Sequence, residues 1–270
     1  MADDVTPAMP EWDIFIKEIR KEMTLKAGQR CTGIRRIFVP QNKMEDVQIA
    51  LGKALSQTVI GNPLNSTVRM GSLAGETQRN EVKEQVQKLL ASSQLIYGSL
   101  DSVEVVDADA LKGAFISPLL LLNQNPFNSF EPHNIEAFGP VSTLMPYTTI
   151  DDAIALSKLG KGSLVSTIVT ANSKIARQYV IGAATHHGGI LILNNEEKII
   201  PTFGKFAIID LQSFDIQHQV TEVTGGLGRF AILTFVKKKE DEFITIEGGN
   251  HQNLFAYDLY QKKLDSLLKL

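Results

Sequence analysis

Residues 26–36 surround the only cysteine of the chain and read Lys26-Ala27-Gly28-Gln29-Arg30-Cys31-Thr32-Gly33-Ile34-Arg35-Arg36. The sequence before this stretch predicts an amphipathic helix that Gly28 ends, because apolar side chains recur there at helical spacing, at Trp12, Phe15, Ile16, Ile19 and Met23. Residues 36–39 predict a short strand that Pro40 closes. The thiol is therefore expected in a loop between a helix and a strand.

The same alternation of helix-like and strand-like segments continues to about residue 194. Such alternation is typical of an α/β fold, and we predict a three-layer open sheet with flanking helices. Further helices are predicted at 44–58, 76–91, 149–159 and 173–183, and further strands at 115–121, 141–147, 164–170 and 189–194.

The pattern changes after residue 195, where strand-like runs at 206–211 and 230–236 are joined by polar stretches without helical periodicity. A charge run at 237–242 follows, and then a strand-like run at 243–247 and an amphipathic pattern at 256–270. We therefore predict three parts: a domain over 1–195, a segment of uncertain fold over 196–242, and a tail over 243–270.

Composition and charge narrow the classes of function. A chain of 270 residues with 43% hydrophobic and 21% charged residues is typical of a globular protein. The formal net charge of -3 argues against nucleic acid as a partner. No apolar run approaches the roughly 18 residues of a membrane span, and the acidic start Met1-Ala2-Asp3-Asp4 is unlike a signal peptide. We expect a cytoplasmic protein with no membrane partner.

On the residue pattern alone, Cys31 is either a nucleophile or a small core residue. A single cysteine excludes an internal disulfide and a cysteine-based zinc cluster, and the scattered histidines give no metal site. A free thiol is only about a few per cent thiolate near neutral pH, so nucleophilic reactivity needs positive charge or backbone amides around it. Arg30, Arg35 and Arg36 are the candidates for that charge. Cysteine is also often buried in cores, so both interpretations stay open here.

Two stretches resemble signatures of the aldehyde dehydrogenase superfamily. Residues 27–33 are similar to its G-Q-x-C-x-A signature, with Gly33 in place of the usual alanine. The stretch Ile135-Glu136-Ala137-Phe138-Gly139-Pro140-Val141 is similar to its E-x-F-G-P-V element. Residues 1–195 thus resemble the catalytic domain of this superfamily. Four further matches follow the order of the family, at 70–73, 115–118, 162–164 and 189–194.

The resemblance implies a mechanism and a cofactor. It implies that Cys31 is the catalytic thiol, which adds to an aldehyde carbon before hydride leaves to NAD or NADP and water releases the acid. It implies that Glu136 binds the ribose on the nicotinamide side of the cofactor, and that Phe138 packs near the cofactor. A carboxylate suits ribose hydroxyls because charged acceptors make the stronger hydrogen bonds. Without the motif, Glu136 would be interpreted as a solvated charge beside a turn.

Within the superfamily, residues 3–195 are most similar to the dehydrogenase part of the bifunctional enzymes of phenylacetate degradation, which implies a small-molecule aldehyde linked to coenzyme A. In whole members a cofactor-binding domain precedes the cysteine, whereas 30 residues precede Cys31 here. We therefore expect that domain to be missing and this chain alone to show little turnover. We also expect self-association into a homo-oligomer that covers exposed strand edges. The alternative is a non-catalytic remnant or interaction module that keeps the fold.

The tail carries a second resemblance. Residues 243–254 are similar to the last strand and the histidine loop of an α/β-hydrolase, which would make His251 a triad histidine. The chain has no G-x-S-x-G elbow for the partner serine, and a triad histidine cannot act as a base for a serine that is absent. We therefore do not expect hydrolase activity.

Overall fold

The computed structural model describes residues 1–195 and the backbones of three later strands. The chain divides into two compact units. The first consists of Met1 and Pro7–Leu156, and the second of Ala2–Thr6 and Ser157–Leu270. None of the described helices is both long and apolar enough to cross a membrane.

The first unit has a mixed four-stranded sheet. Its strands are β1 (Arg36–Pro40), β2 (Gln94–Tyr97), β3 (Leu119–Leu122) and β4 (Val141–Tyr147). They lie in the order β1-β4-β3-β2. Strand β4 is parallel to both β1 and β3, whereas β2 is antiparallel to β3. The helices along this part of the chain are α1 (Pro10–Thr24), α2 (Met44–Ser56), α3 (Glu76–Leu89), α4 (Glu131–Asn134) and α5 (Ile150–Lys158).

The central strands of this sheet are largely apolar, with Ser142 and Thr143 as the polar residues of β4. Every residue of β3 and of β4 is buried, which is expected where helices cover both faces of parallel strands. The core against α3 joins Val82 and Val86 of that helix to Leu119, Leu121 and Val141 of the two strands. This packing fixes the start of β4, which is the end of the second family-like stretch, residues 135–141.

The second unit has a five-stranded sheet with the order β5-β6-β7-β8-β9. Strands β5 and β6 are parallel and connected through α6, and the remaining pairs are antiparallel. Asn172 caps α6, because its side-chain oxygen accepts from the backbone N–H groups of Lys174 and Ile175. The elements are β5 (Ser163–Val169), α6 (Ser173–Ala183), β6 (His187–Leu193), β7 (Ile208–Gln212), β8 (Arg229–Val236) and β9 (Phe243–Ile246).

The predicted α/β class with open sheets and flanking helices is confirmed, and each unit has a mixed sheet of its own. The helices predicted at 44–58, 76–91, 149–159 and 173–183 match observed helices to within two residues at either end. The first predicted helix was expected to continue to Gly28, but α1 ends at Thr24, because Lys26 and Ala27 have left-handed backbone angles. Strand β3 begins at Leu119 instead of 115, directly after Pro118, which has no N–H to donate to a neighbouring strand. Strand β2 was not predicted at all.

The three strand-like runs after residue 195 correspond to β7, β8 and β9. Strand β9 was assigned to the predicted tail, and it pairs with β8 in the same sheet as β5. The rest of the 196–242 segment and of the 243–270 tail, including His251, lies outside the described residues. The three-part division of the chain stays a prediction.

Candidate active site

The loop that carries Cys31 begins with an unusual backbone turn. Lys26, Ala27 and Gly28 have φ angles of 54°, 51° and 69°. All three lie in the left-handed region of the backbone, which residues other than glycine rarely adopt. Gly28 is required for a second reason, because a Cβ atom at this position would overlap the carbonyl oxygen of Gly139. The turn ends α1 and brings the cysteine loop directly against the second family-like stretch.

Cys31 occupies a corner of a tight turn on the protein surface. The backbone N–H of Gly33 donates to the carbonyl of Arg30 at 3.1 Å, which leaves Cys31 and Thr32 at the two central positions. The cysteine is exposed. The interpretation of Cys31 as a buried core residue is therefore wrong, whereas its role as a nucleophile stays a prediction. An exposed thiol at a turn is open to approach by a carbonyl group.

The two side chains before Cys31 hold this loop in place. Gln29 accepts from the backbone N–H of Ala74 at 2.9 Å through Oε1 and donates to the carbonyl of Lys26 at 3.1 Å through Nε2. Arg30 donates to Glu22 of α1 at 2.8 Å and to the hydroxyl of Thr32 at 3.2 Å. The loop is thus bound to its own helix on one side and to the 70–75 loop on the other.

The second stretch, between α4 and β4, presents alternate side chains to solvent. Ala137 is buried in the core, whereas Glu136 and Phe138 are exposed. A short turn follows, in which the N–H of Gly139 donates to the carbonyl of Ala137 at 2.8 Å. Gln78 of α3 donates to the carbonyl of Phe138 at 3.0 Å. The buried alanine and the bond from α3 fix the direction in which Glu136 and Phe138 point.

These two stretches line one open cleft. The cleft is shallow, with an enclosed volume of about 10 Å³. Cys31 is not one of the lining residues, but it lies between two of them, Arg30 and Gly33, along the chain. The structure thus brings Glu136 and Phe138 to the same cleft as the cysteine loop. The lining residues are Glu22, Met23, Gly28, Arg30, Gly33, Ile34, Arg35, Glu136, Ala137, Phe138 and Gly139.

Arg35 pairs with the predicted cofactor-binding carboxylate. Its Nη1 forms an ion pair with Oε1 of Glu136, and the two side chains are 36% and 48% exposed. Burial lowers the pKa of Arg35, and the negative charge of a Cys31 thiolate acts in the opposite direction and raises it. Arg35 follows Cys31 by four positions along the chain.

The other two candidate arginines have different partners. Arg30 is paired with Glu22, as described above. Arg36 donates to the carbonyl of Leu156 at 3.0 Å, lies 3.1 Å from Nδ1 of His133, and stacks 5.5 Å from the centre of the Phe38 ring. Arg35 is therefore the arginine of the three that pairs with Glu136.

The residues that form this cleft lie within a stretch that matches a known protein family. Residues 8–204 match the pattern described as the aldehyde dehydrogenase family. The chain belongs to this family. The resemblance of the two stretches that line the cleft is thereby confirmed at the level of the family, and the aldehyde dehydrogenase match covers all of the residues that form the cleft.

Curated relatives agree with the aldehyde dehydrogenase assignment. The chain is 35% identical over 194 residues to the 3,4-dehydroadipyl-CoA semialdehyde dehydrogenase of Aromatoleum evansii, an alignment that covers 72% of this chain and 38% of that protein. It is 43% identical over 127 residues to protein MaoC of Klebsiella aerogenes, which covers 46% of this chain and 36% of the relative. The chain thus spans well under half the length of these relatives.

Solved aldehyde dehydrogenase structures share the fold. The succinic semialdehyde dehydrogenase of Streptococcus pyogenes, in complex with NADP+, matches with a TM-score of 0.60 at 21% identity, over 71% of this chain and 39% of that one. Aldehyde dehydrogenase C of Pseudomonas syringae, in complex with NAD+ and octanal, matches with a TM-score of 0.61 at 19% identity, over 76% and 40%. At these identities the likeness concerns the fold.

Proposed function

We propose that this chain supplies the nucleophilic cysteine of an NAD(P)-dependent oxidation of an aldehyde to an acid. The observation that carries the proposal is the exposure of Cys31 in a loop whose neighbouring residues line a cleft together with Glu136 and Phe138, in two stretches of the aldehyde dehydrogenase family. An exposed thiol can be reached by a substrate carbonyl, as covalent catalysis requires.

The chemistry assigned to Cys31 has three steps. The thiolate sulfur bonds to the aldehyde carbon, and the electron pair of the carbonyl moves to its oxygen, which gives a thiohemiacetal. Loss of hydride from the same carbon restores the C=O bond and leaves a thioester on the sulfur. Water then adds to this carbonyl and the C–S bond breaks, which releases the acid and returns the thiolate. NAD(P), when bound, supplies the acceptor for the hydride.

The exposed side chains of Glu136 and Phe138 suit a ribose and a nicotinamide. Glu136 engages Arg35 through Oε1 and is about half exposed. A half-exposed carboxylate can accept from the hydroxyls of a ribose. Phe138 presents an exposed ring two residues further along, which offers an apolar face to an aromatic ring. We assign cofactor contacts to Glu136 and Phe138 on this basis.

The relative from Aromatoleum evansii supports a finer proposal for the substrate. Its name states that it acts on a CoA-linked semialdehyde, and it is similar to this chain over 194 residues, which is 72% of the chain. We therefore propose a CoA-linked semialdehyde of phenylacetate catabolism as the substrate, in a cytoplasmic protein that forms a homo-oligomer. A reducing cytoplasm would keep the single exposed thiol in the state that the reaction needs.

The nucleophile can be tested without any cofactor. An activated ester such as p-nitrophenyl acetate acylates a reactive thiolate and releases p-nitrophenolate. Because Cys31 is the only cysteine, we expect a burst of about one equivalent of p-nitrophenolate per chain. Cys31→Ser should abolish the burst while leaving the circular dichroism spectrum unchanged. A burst that persists in Cys31→Ser, or wild-type acylation no faster than that of a free thiol, would contradict the proposal and favour a non-catalytic module.

The substrate is tested by protection of the same thiol. An aldehyde that forms a thiohemiacetal with Cys31 should slow its alkylation by iodoacetamide. We expect a CoA-linked semialdehyde to protect at a lower concentration than the same semialdehyde without coenzyme A. Equal protection by the two compounds would remove the support for a CoA-linked substrate and leave the nucleophile assignment intact.

A further inference from the structure

Arg30 is fixed by hydrogen bonds of both its backbone and its side chain. Its backbone N–H donates to the carbonyl of Gly28 at 2.8 Å, and its carbonyl accepts from the N–H of Gly33 at 3.1 Å. Its Nη1 donates to Oε1 of Glu22 at 2.8 Å, and its Nη2 donates to the hydroxyl of Thr32 at 3.2 Å. Four hydrogen bonds thus converge on the residue directly before the cysteine.

The partner of Arg30 on α1 is a carboxylate with little access to water. The side chain of Glu22 is 11% exposed, and that of Arg30 is 27% exposed. A carboxylate that is nearly removed from water is strongly destabilised when its cation leaves. Lys21 lies 4.0 Å from the same carboxylate oxygen and is a poor substitute. The guanidinium therefore stays against α1 and attaches the turn to a regular helix.

The bond from Arg30 to Thr32 spans the cysteine. Residues 30–33 form a turn closed by the hydrogen bond between the N–H of Gly33 and the carbonyl of Arg30, with Cys31 at the first central position. The side chain of Arg30 adds a second link between the two residues on either side of Cys31. One guanidinium, itself held by α1, thus restricts the backbone on both sides of the thiol.

We propose that Arg30 is a positioning residue for Cys31, which acts by joining Thr32 to Glu22 of α1. This rests on the proposed function of Cys31 as a nucleophile. A surface turn can adopt several conformations, and attack on a carbonyl needs the sulfur at a particular distance and angle. The bridge from Glu22 through Arg30 to Thr32 selects one conformation before the substrate arrives. The role is geometric, so it does not require the charge of Arg30 to act on the sulfur.

Thr32 offers the sharpest test, because its hydroxyl can be removed without any change of charge. We expect Thr32→Val to lower the rate constant of the p-nitrophenyl acetate burst by about three- to tenfold, since the turn is no longer tied to Arg30. The amplitude of the burst should stay at about one equivalent per chain, because the thiol remains present in a folded protein. Thr32→Ser keeps the hydroxyl and should restore most of the wild-type rate.

The dependence of alkylation on pH separates geometry from charge. Iodoacetamide reacts with the thiolate, so the midpoint of the rate against pH follows the ionisation of the thiol. In Thr32→Val we expect this midpoint to stay where it is in the wild type, because no charged group is changed, while the burst rate constant falls. A midpoint that moves together with the burst rate constant would overturn the geometric role.

A double variant and a control test whether Thr32 acts through Arg30. In the Arg30→Gln background, Thr32→Val should have no further effect on the burst rate constant, because the guanidinium that it would lose is already absent. Thr67→Val is the matched control. The hydroxyl of Thr67 donates to Asn65 within an exposed loop, and Thr67 is not among the residues that line the cleft. Its removal should leave the burst unchanged.

The failure of this proposal can be told apart from the failure of the proposed function. A Thr32→Val burst as fast as that of the wild type, or a loss of rate that is the same with and without Arg30, would overturn the positioning role. A wild-type burst that depends on Cys31 would then still support the nucleophile. Absence of that burst in the wild type would contradict the proposed function, and the role of Arg30 with it.

Discussion

Gly28 and Gly139 lie in backbone contact, although one belongs to the cysteine stretch and the other to the Glu136 stretch. A Cβ atom on Gly28 would overlap the carbonyl group of Gly139, and a Cβ atom on Gly139 would come within 2.9 Å of Val82 on α3. The two glycines thus form a stack in which α3 supports the second stretch and the second stretch supports the cysteine loop. The relative position of Cys31, Arg35 and Glu136 depends on this close approach.

The contact predicts that Gly28→Ala destabilises the protein. The substituted residue would have to keep a φ angle of 69° and would also overlap Gly139. We expect the free energy of unfolding to fall by about 2–4 kcal/mol, as measured by urea denaturation. Gly71→Ala is the control, because a Cβ there meets no atom within 4 Å, and its stability should stay near that of the wild type. Equal effects of the two substitutions would contradict the account of the stack.

The pair of Glu22 and Arg30 predicts a second effect on stability. Glu22 is almost buried on α1, and Arg30 is its partner at 2.8 Å. Arg30→Gln leaves this carboxylate without that partner, with Lys21 4.0 Å away as a poor substitute. We expect a loss of about 1–2 kcal/mol in the free energy of unfolding.

A charge-matched control is available on α3. Lys88 pairs with Glu84 on the exposed face of that helix, where ion pairs contribute little because water screens them. Lys88→Gln should therefore leave the denaturation midpoint unchanged. If Arg30→Gln also left the free energy of unfolding unchanged, the pair of Arg30 with Glu22 of α1 would not stabilise the cysteine loop.

His133 predicts a dependence of stability on pH. Burial lowers the pKa of this imidazole below the ordinary value of about 6.5, the charge of Arg36 lowers it further, and a hydrogen bond with the carbonyl of Pro126 partly opposes both. The unfolded chain therefore binds a proton at a higher pH than the folded one. The contribution of His133 is present above the unfolded pKa and is lost as the pH falls through the lower folded pKa.

The pH effect is measured as a difference between two proteins. We expect the stability advantage of the wild type over His133→Gln to shrink between pH 7.5 and pH 5.5, as determined by urea denaturation at each pH. Taking the difference cancels the titration of groups common to both proteins, such as His186, whose pKa is also lowered by burial. A difference that grows on acidification would show that the charged form of His133 is the favoured one.

The regular elements were predictable because their signals are local. Helix α1 follows from apolar residues at helical spacing, and β4 from a largely apolar run at Val141–Tyr147. Strand β2 gives no such signal: its four residues are exposed or half-buried, and its extended form depends on pairing with Leu120–Leu122 of β3. Pairing partners of this kind are decided by the tertiary fold, which a local pattern does not contain.

For the site, the sequence predicted the candidate residues but not the contacts between them. The two family-like stretches identified Cys31, Glu136 and Phe138 as candidates, but they did not show that Arg35 pairs with Glu136. That contact depends on the approach of Gly28 to Gly139. The partnership of Glu22 and Arg30 had a weak signal that was overlooked. Glu22 follows Ile19 by three positions and precedes Met23, so it falls on the apolar face of α1, where a carboxylate needs a partner.

The most direct test of the account is the reactivity of Cys31 toward iodoacetamide at pH 7, compared with that of a small thiol such as N-acetylcysteine. Because the chain has one cysteine, the rate measured by mass spectrometry belongs to this residue alone. The account predicts alkylation clearly faster than that of the small thiol, since a catalytic thiol needs surroundings that favour its thiolate. A rate equal to or below that of the small thiol would contradict the assignment of Cys31 as an activated nucleophile.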